Sequence, residues 1–139
     1  MLTVLLSLSS CEKMGENDGV RGFWRLVSVK TGDVETDVTN DNIFWGLQNG
    51  IISIRSSNVA FSSLSNGEKC FELIGRYSVN GEKVYIEELF YHYDSHDDVI
   101  PEITEVLSKY GIDKLKPNYS KKKSGNTLVL EYENGTLHL

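Results

Sequence analysis

Residues Phe71–Phe90 read FELIGRYSVNGEKVYIEELF, two runs with strand-like alternation joined by Asn80-Gly81. Asn-Gly between such runs signals an antiparallel hairpin, because a two-residue type I′ turn needs positive φ at both central positions and these residues tolerate it best. With Asn80 and Gly81 as the turn, Val79 faces Glu82, Tyr77 faces Val84, Gly75 faces Ile86 and Leu73 faces Glu88. Beyond Glu82 beside the turn, that face is apolar up to Glu88, after which the apolar positions shift to Leu89, Tyr91 and Tyr93. The break predicts either a β-bulge at Glu87 and Glu88 or a polar spot inside the fold.

Similar units lie on both sides. Gly22 to Lys30 alternates as a first strand, with Trp24, Leu26 and Ser28 on one face and Phe23, Arg25, Val27 and Val29 on the other. Thr31 to Asn42 reads as a loop. Asn49-Gly50 joins a second hairpin that pairs Gln48 with Ile51, Leu47 with Ile52, Gly46 with Ser53 and Trp45 with Ile54. Asn58 to Leu64 is a weaker strand. From Asp97 the apolar period changes to that of a helix of about three turns through Ile103, Val106, Leu107 and Tyr110, with Asp97 or Asp98 as its N-cap, Pro101 in the first turn and Gly111 after its end, a lid or plug on the sheet. Ile112 to Gly125 reads as irregular, with Lys121–Lys123 as a solvated loop. Asn134-Gly135 marks a last hairpin, with Leu128, Leu130 and Tyr132 on the face of Leu137 and Leu139, and Glu131 opposite His138. The chain stops in mid-strand. The pattern predicts a mostly β fold, an antiparallel meander of about eight strands closing into a barrel, with one amphipathic helix before the last hairpin.

The chain has 139 residues and a formal net charge of -6, so one domain folds without needing disulfides or a structural metal, and general nucleic-acid binding is disfavoured. Its two cysteines, Cys11 and Cys70, differ in setting. Cys11 closes the apolar stretch Met1–Ser10, and Leu8-Ser9-Ser10-Cys11 resembles the lipobox of bacterial lipoprotein signal peptides. The resemblance implies that Cys11 carries the lipid, that residues 1–10 are the signal peptide, and that the domain begins after a polar tether, residues 11–21. No Lys or Arg precedes the apolar run, which implies a start codon placed too far downstream. The acidic residues after Cys11 resemble surface-export signals of Bacteroidales-type lipoproteins. Cys70 is then a small buried hydrophobe.

Gly22-Phe23-Trp24 at the start of the first strand matches the Gly-x-Trp signature of lipocalins. Together with the lipobox and the meander, it resembles the lipocalin-like domains of unknown function in Bacteroidales-type lipoproteins, over residues 22–139. The resemblance implies a lipid-anchored barrel of the cell envelope, at the periplasmic or surface face of the outer membrane, binding a small apolar or amphipathic molecule. The alternative is a filled-core interaction module of an envelope assembly, with a protein partner. The expected interior is Trp24, Leu26, Trp45, Leu47, Ile54, Leu73, Tyr77, Val84 and Ile86. Glu88 is a head-group anchor if it points inward, and the interior is dry if a bulge turns it out; an unpaired buried carboxylate costs several kcal/mol, which favours the bulge. In the family an arginine from the last strand covers the tryptophan, and none follows Leu139.

Catalytic chemistry finds little support. There is no Gly-x-Ser-x-Gly elbow or phosphate-binding glycine loop, and no histidine is placed to activate Cys70. His92, Asp94 and His96 share one face of a strand and are suited to zinc or iron. However, i and i+4 on a strand lie roughly 13 Å apart, too far to share one ion unless the chain turns. Neither a cofactor nor a metal is expected.

Overall fold

The computed structural model describes residues 19–56, 71–93, 96–100 and 103–139. The signal peptide, Cys11, most of the tether, the Asn58–Leu64 strand, Cys70, Asp94 and Pro101 lie outside the described residues. The strands are β1 (Gly22–Arg25), β2 (Ser28–Thr31), β3 (Val34–Asp37), β4 (Ile43–Gln48), β5 (Ile51–Ser56), β6 (Phe71–Asn80), β7 (Lys83–Tyr93) and β8 (His96–Val99). After the helix α1 (Glu105–Lys109) come β9 (Asn118–Ser124), β10 (Thr127–Tyr132) and β11 (Gly135–His138).

All pairings are antiparallel, in the order β1-β4-β5-β6-β7-β9-β10-β11-β2-β3, with β8 beside β7. Because β1 and β2 are two halves of one stave, the order returns to its start and the sheet closes. The halves change partner at a single step: the Leu26 N–H donates to the Ile43 carbonyl and the Val27 N–H to the His138 carbonyl, both at 2.8 Å. Counting β1 with β2 and β3 with β4, and leaving β8 as an extension of β7, gives an eight-stave barrel. The change of partner also switches faces. Val29, expected outside, is buried opposite Leu137, and the segment expected as a loop contributes β3.

The second hairpin has the register its sequence implies, with Asn49 at φ 51° and Gly50 at φ 82° in the turn. The Phe71–Phe90 hairpin keeps its faces but changes its turn. Asn80 pairs with Lys83 and Val79 with Val84, so Gly81-Glu82 is the turn, and only Gly81 has positive φ. One positive φ at the first central position is the type II′ requirement. The last hairpin shifts in the opposite direction, pairing Tyr132 with Gly135 and Val129 with His138, so its turn is Glu133-Asn134 and Glu131 faces Thr136 instead of His138. Its glycine serves the neighbouring strand instead of the turn, because a Cβ at Gly135 would sit 2.0 Å from the Lys30 carbonyl oxygen.

The bulge occurs where the pattern breaks. Tyr77 pairs with Ile86 and Arg76 with Glu88, leaving Glu87 as the extra residue. Gly75 permits it, since a Cβ there would lie 1.8 Å from the Glu88 carbonyl oxygen. Both glutamates face outward, and Glu88 reaches Arg76 at 3.5 Å.

Two further expectations are corrected. The helix is five residues long, capped by Thr104, whose side chain accepts from the Leu107 N–H at 3.2 Å; Asp97 and Asp98 belong to β8. Lys121–Lys123 is not a loop but part of β9, which pairs with β10 over Ser120–Ser124 and with β7 over Asn118–Ser120. Three consecutive lysines hide a strand because their charge reads as solvated, although their aliphatic stems pack well along a sheet.

Candidate functional site

The barrel has a floor and a mouth. Residues 19–22, the 49–50, 81–82 and 125–126 turns and Leu139 gather at the floor, while the 32–33 and 133–134 turns and the 103–117 segment gather at the mouth. Val20 is fully buried against the core, so packing begins two residues before the expected domain boundary at Gly22.

At the floor, the indole N–H of half-buried Trp24 donates to the Val20 carbonyl at 2.8 Å. A cation does cover this ring, but it is Lys123 of β9, its Nζ 5.9 Å from the ring centroid. Trp24 therefore closes the barrel end with its polar atom satisfied.

The waist is built differently. Trp45 on β4 stands four staves from Tyr119 on β9, on opposite sides of an eight-stave ring, and their rings meet edge to face at 5.8 Å. Tyr119 in turn meets Tyr132 at 5.7 Å. The expected interior residues Leu26, Trp45, Leu47, Ile54, Leu73, Tyr77, Val84 and Ile86 all sit in the core, each at most 4% exposed. Glu88 does not join them, because the bulge turns it to solvent.

Above the waist, α1 and the segment that follows it enter the mouth as a plug, with Leu107, Tyr110 and Ile112 buried. Gly111, at φ 90°, lets the chain turn against the barrel, since a Cβ there would lie 2.3 Å from Leu137. Four contacts hold the plug: the Tyr119 hydroxyl donates to the Gly111 carbonyl at 2.8 Å, the Tyr110 hydroxyl donates to Asp41 at 2.6 Å, Lys114 meets Glu133 at 3.1 Å, and the Asn134 amide donates to Asp113. Burial, and then the Asp113 charge, push the Tyr119 phenol well above its usual range; burial and Asp41 do the same for Tyr110.

Two buried polar atoms in this region have no partner, the indole Nε1 of Trp45 and Oδ1 of Asp113. Tyr119 touches the ring of the first and feels the charge of the second. Leaving a buried polar group unsatisfied costs about 1–3 kcal/mol, so their proximity to one aromatic ring calls for a physical reason. Sequence reasoning placed Trp45 inside but missed Asp113, Tyr119 and Tyr132 as its neighbours.

Among the described residues no group of three His, Cys, Asp or Glu is arranged to hold a metal. The β7 and β8 backbones pair with His92 opposite Asp97; Asp94 and the side chains of residues 92–99 lie outside the described residues.

A closed antiparallel meander with a tryptophan across its floor and a plug in its mouth defines an up-and-down barrel of the kind that encloses small molecules. The chain belongs to the lipocalin-like domain family, whose model matches residues 5–139. It is similar in fold to a solved lipocalin-like protein from Bacteroides uniformis, with a TM-score of 0.57, 21% identity, and coverage of 86% of this chain and 96% of that one. An uncharacterized protein from Bacteroides eggerthii is also similar, with a TM-score of 0.52, 14% identity, and 85% and 96% coverage. No curated protein matches the chain in sequence.

Proposed function

We propose that this protein is a non-catalytic carrier or sensor of a small amphipathic molecule, tethered to the cell envelope through lipid on Cys11, at the outer membrane. The lipocalin-like fold is typically non-enzymatic and commonly takes small hydrophobic ligands. The supporting observation is the pair of unpartnered buried atoms beside Tyr119. A hydroxyl-bearing ligand seated under the plug accepts from the Trp45 indole and donates to Asp113, while its apolar part lies among Leu47, Ile54 and Tyr77. Entry requires residues 103–116 to shift outward, which exposes Leu107, Tyr110 and Ile112 and breaks the hydrogen bonds and the ion pair that hold the plug.

A second reading has its own observation. The Trp45–Tyr119 contact spans the barrel's diameter, as in a filled-core scaffold that acts through its outer wall in an envelope assembly. Mass spectrometry of an organic extract of the protein purified from its native host separates the two. A co-purifying amphipathic molecule supports the carrier; its absence, with a protein recovered instead, supports the scaffold.

A further inference from the structure

The outer surface of β1, β4 and β5 carries a cleft of about 600 Å³ lined by Arg21, Phe23, Ile51 and Arg55 among others, and among the described residues lining it none is acidic. Above its floor, Phe23 stacks on Phe44 with centroids 5.0 Å apart and planes 2° from parallel. Guanidinium groups close both ends of the stack, Arg55 over Phe23 at 5.4 Å and Arg25 over Phe44 at 5.6 Å. Phe23 and Ile51 are nonetheless 58% and 53% exposed, an apolar cost on an open wall.

The charge distribution is uneven. Although the chain carries a net -6, all four of its arginines lie on this wall: Arg21, Arg25, Arg55, and Arg76 opposite Ile51. Glu72 meets Arg55 at 3.9 Å and Glu88 meets Arg76 at 3.5 Å, while Arg25 has neutral partners in Asn42 and the Thr39 carbonyl. On the opposite wall Lys122 is matched by Glu131 at 3.2 Å, and at the mouth Lys114 is matched by Glu133. Arginine suits phosphate better than lysine does, by its bidentate fork and weaker hydration, and exposed Phe and Ile suit the acyl boundary just beneath.

We infer that this wall lies against an anionic membrane surface, its arginines on lipid phosphates and Phe23 and Ile51 dipping between headgroups. The inference rests on the reading of Cys11 as lipid-bearing. Cys11 precedes Gly19 by eight residues, and the end of that tether, Arg21-Gly22, itself lines the cleft. Eight residues span at most about 28 Å, so the anchor holds the barrel within about a molecular diameter of the bilayer, and the arginine wall decides which side faces it.

The test is co-sedimentation of the mature chain, residues 11–139, produced without the signal peptide and carrying Cys11→Ser, which removes the lipid, with phosphatidylcholine vesicles made with or without phosphatidylglycerol. Binding is expected only to the anionic vesicles and is expected to fall with added salt. Each arginine near an anionic surface contributes about fivefold, so Arg25→Gln with Arg55→Gln weakens binding about 25-fold. Phe23→Ser, at an exposed position that leaves the core intact, weakens it further, and Lys122→Gln on the opposite wall leaves it unchanged. Equal binding to both vesicle types, equal binding by the arginine double variant, or an acidic protein outcompeting the vesicles would overturn the inference. Incorporation of labelled palmitate by the unmodified chain in its host tests the anchor separately.

Discussion

Trp24 and Trp45 are cross-strand partners in β1 and β4, both directed into the barrel, yet they do different things. Trp24 turns toward the floor, hands its N–H to Val20 and leaves nothing unsatisfied. Trp45 reaches across the waist to Tyr119 and leaves its N–H without a partner at 1% exposure. The difference separates a residue that closes the fold from one whose environment is complete only with something else present. Identity and register alone make the two look alike; hydrogen-bond satisfaction tells them apart.

The comparison is broken first at the floor. Trp24→Ala opens a cavity and exposes the Val20 carbonyl, at a cost of about 3–5 kcal/mol. Urea unfolding should show that loss, while affinity for an amphiphile, measured where the variant is folded, stays within error. A variant of unchanged stability would remove Trp24 from its closing role.

A smaller effect is expected at the mouth. Tyr119→Phe removes the donor to the Gly111 carbonyl and should cost about 1–2 kcal/mol. Because the lost bond is one that holds the plug, amide exchange in residues 103–116 should accelerate more than exchange in the β4–β5 hairpin. Uniform acceleration would mean that the plug is an ordinary part of the core.

Alkaline pH sharpens the same point. Burial raises the Tyr119 phenol, so below pH about 10, the unfolded tyrosine value, both states are protonated and its contribution is fully present. Above that pH the unfolded chain loses the proton and the folded one keeps it. Stability should then fall by about 1.4 kcal/mol per pH unit from this residue until its raised folded pKa is reached. Chemical denaturation at successive pH values should show a slope shallower by that amount in Tyr119→Phe.

Much of the barrel was legible because period-two alternation survives errors in the turn. Moving the turn from Asn80-Gly81 to Gly81-Glu82 shifts pairing by two residues, so Leu73, Tyr77, Val84 and Ile86 stay inside. The bulge at Glu87 was legible for the same reason, as a break in the alternation. The β9 strand was hidden by the lysines, and the helix was overdrawn because Asp97 and Asp98 resemble caps while their backbone pairs with β7. The waist was out of reach for a different reason. Residues 74 positions apart meet there, and no local pattern states that Trp45 will face Tyr119 or that its N–H will lack an acceptor.

Since Trp24 and Trp45 are the chain's two tryptophans, each can be made the sole reporter. Trp24→Phe leaves Trp45, and Trp45→Phe leaves Trp24. Titration of both variants with dodecanol, followed by tryptophan emission, tests the ligand site directly. The account predicts a saturable change in the protein that keeps Trp45 and none in the protein that keeps Trp24. No change in either, with both variants folded, would contradict it and leave a barrel filled by its own side chains.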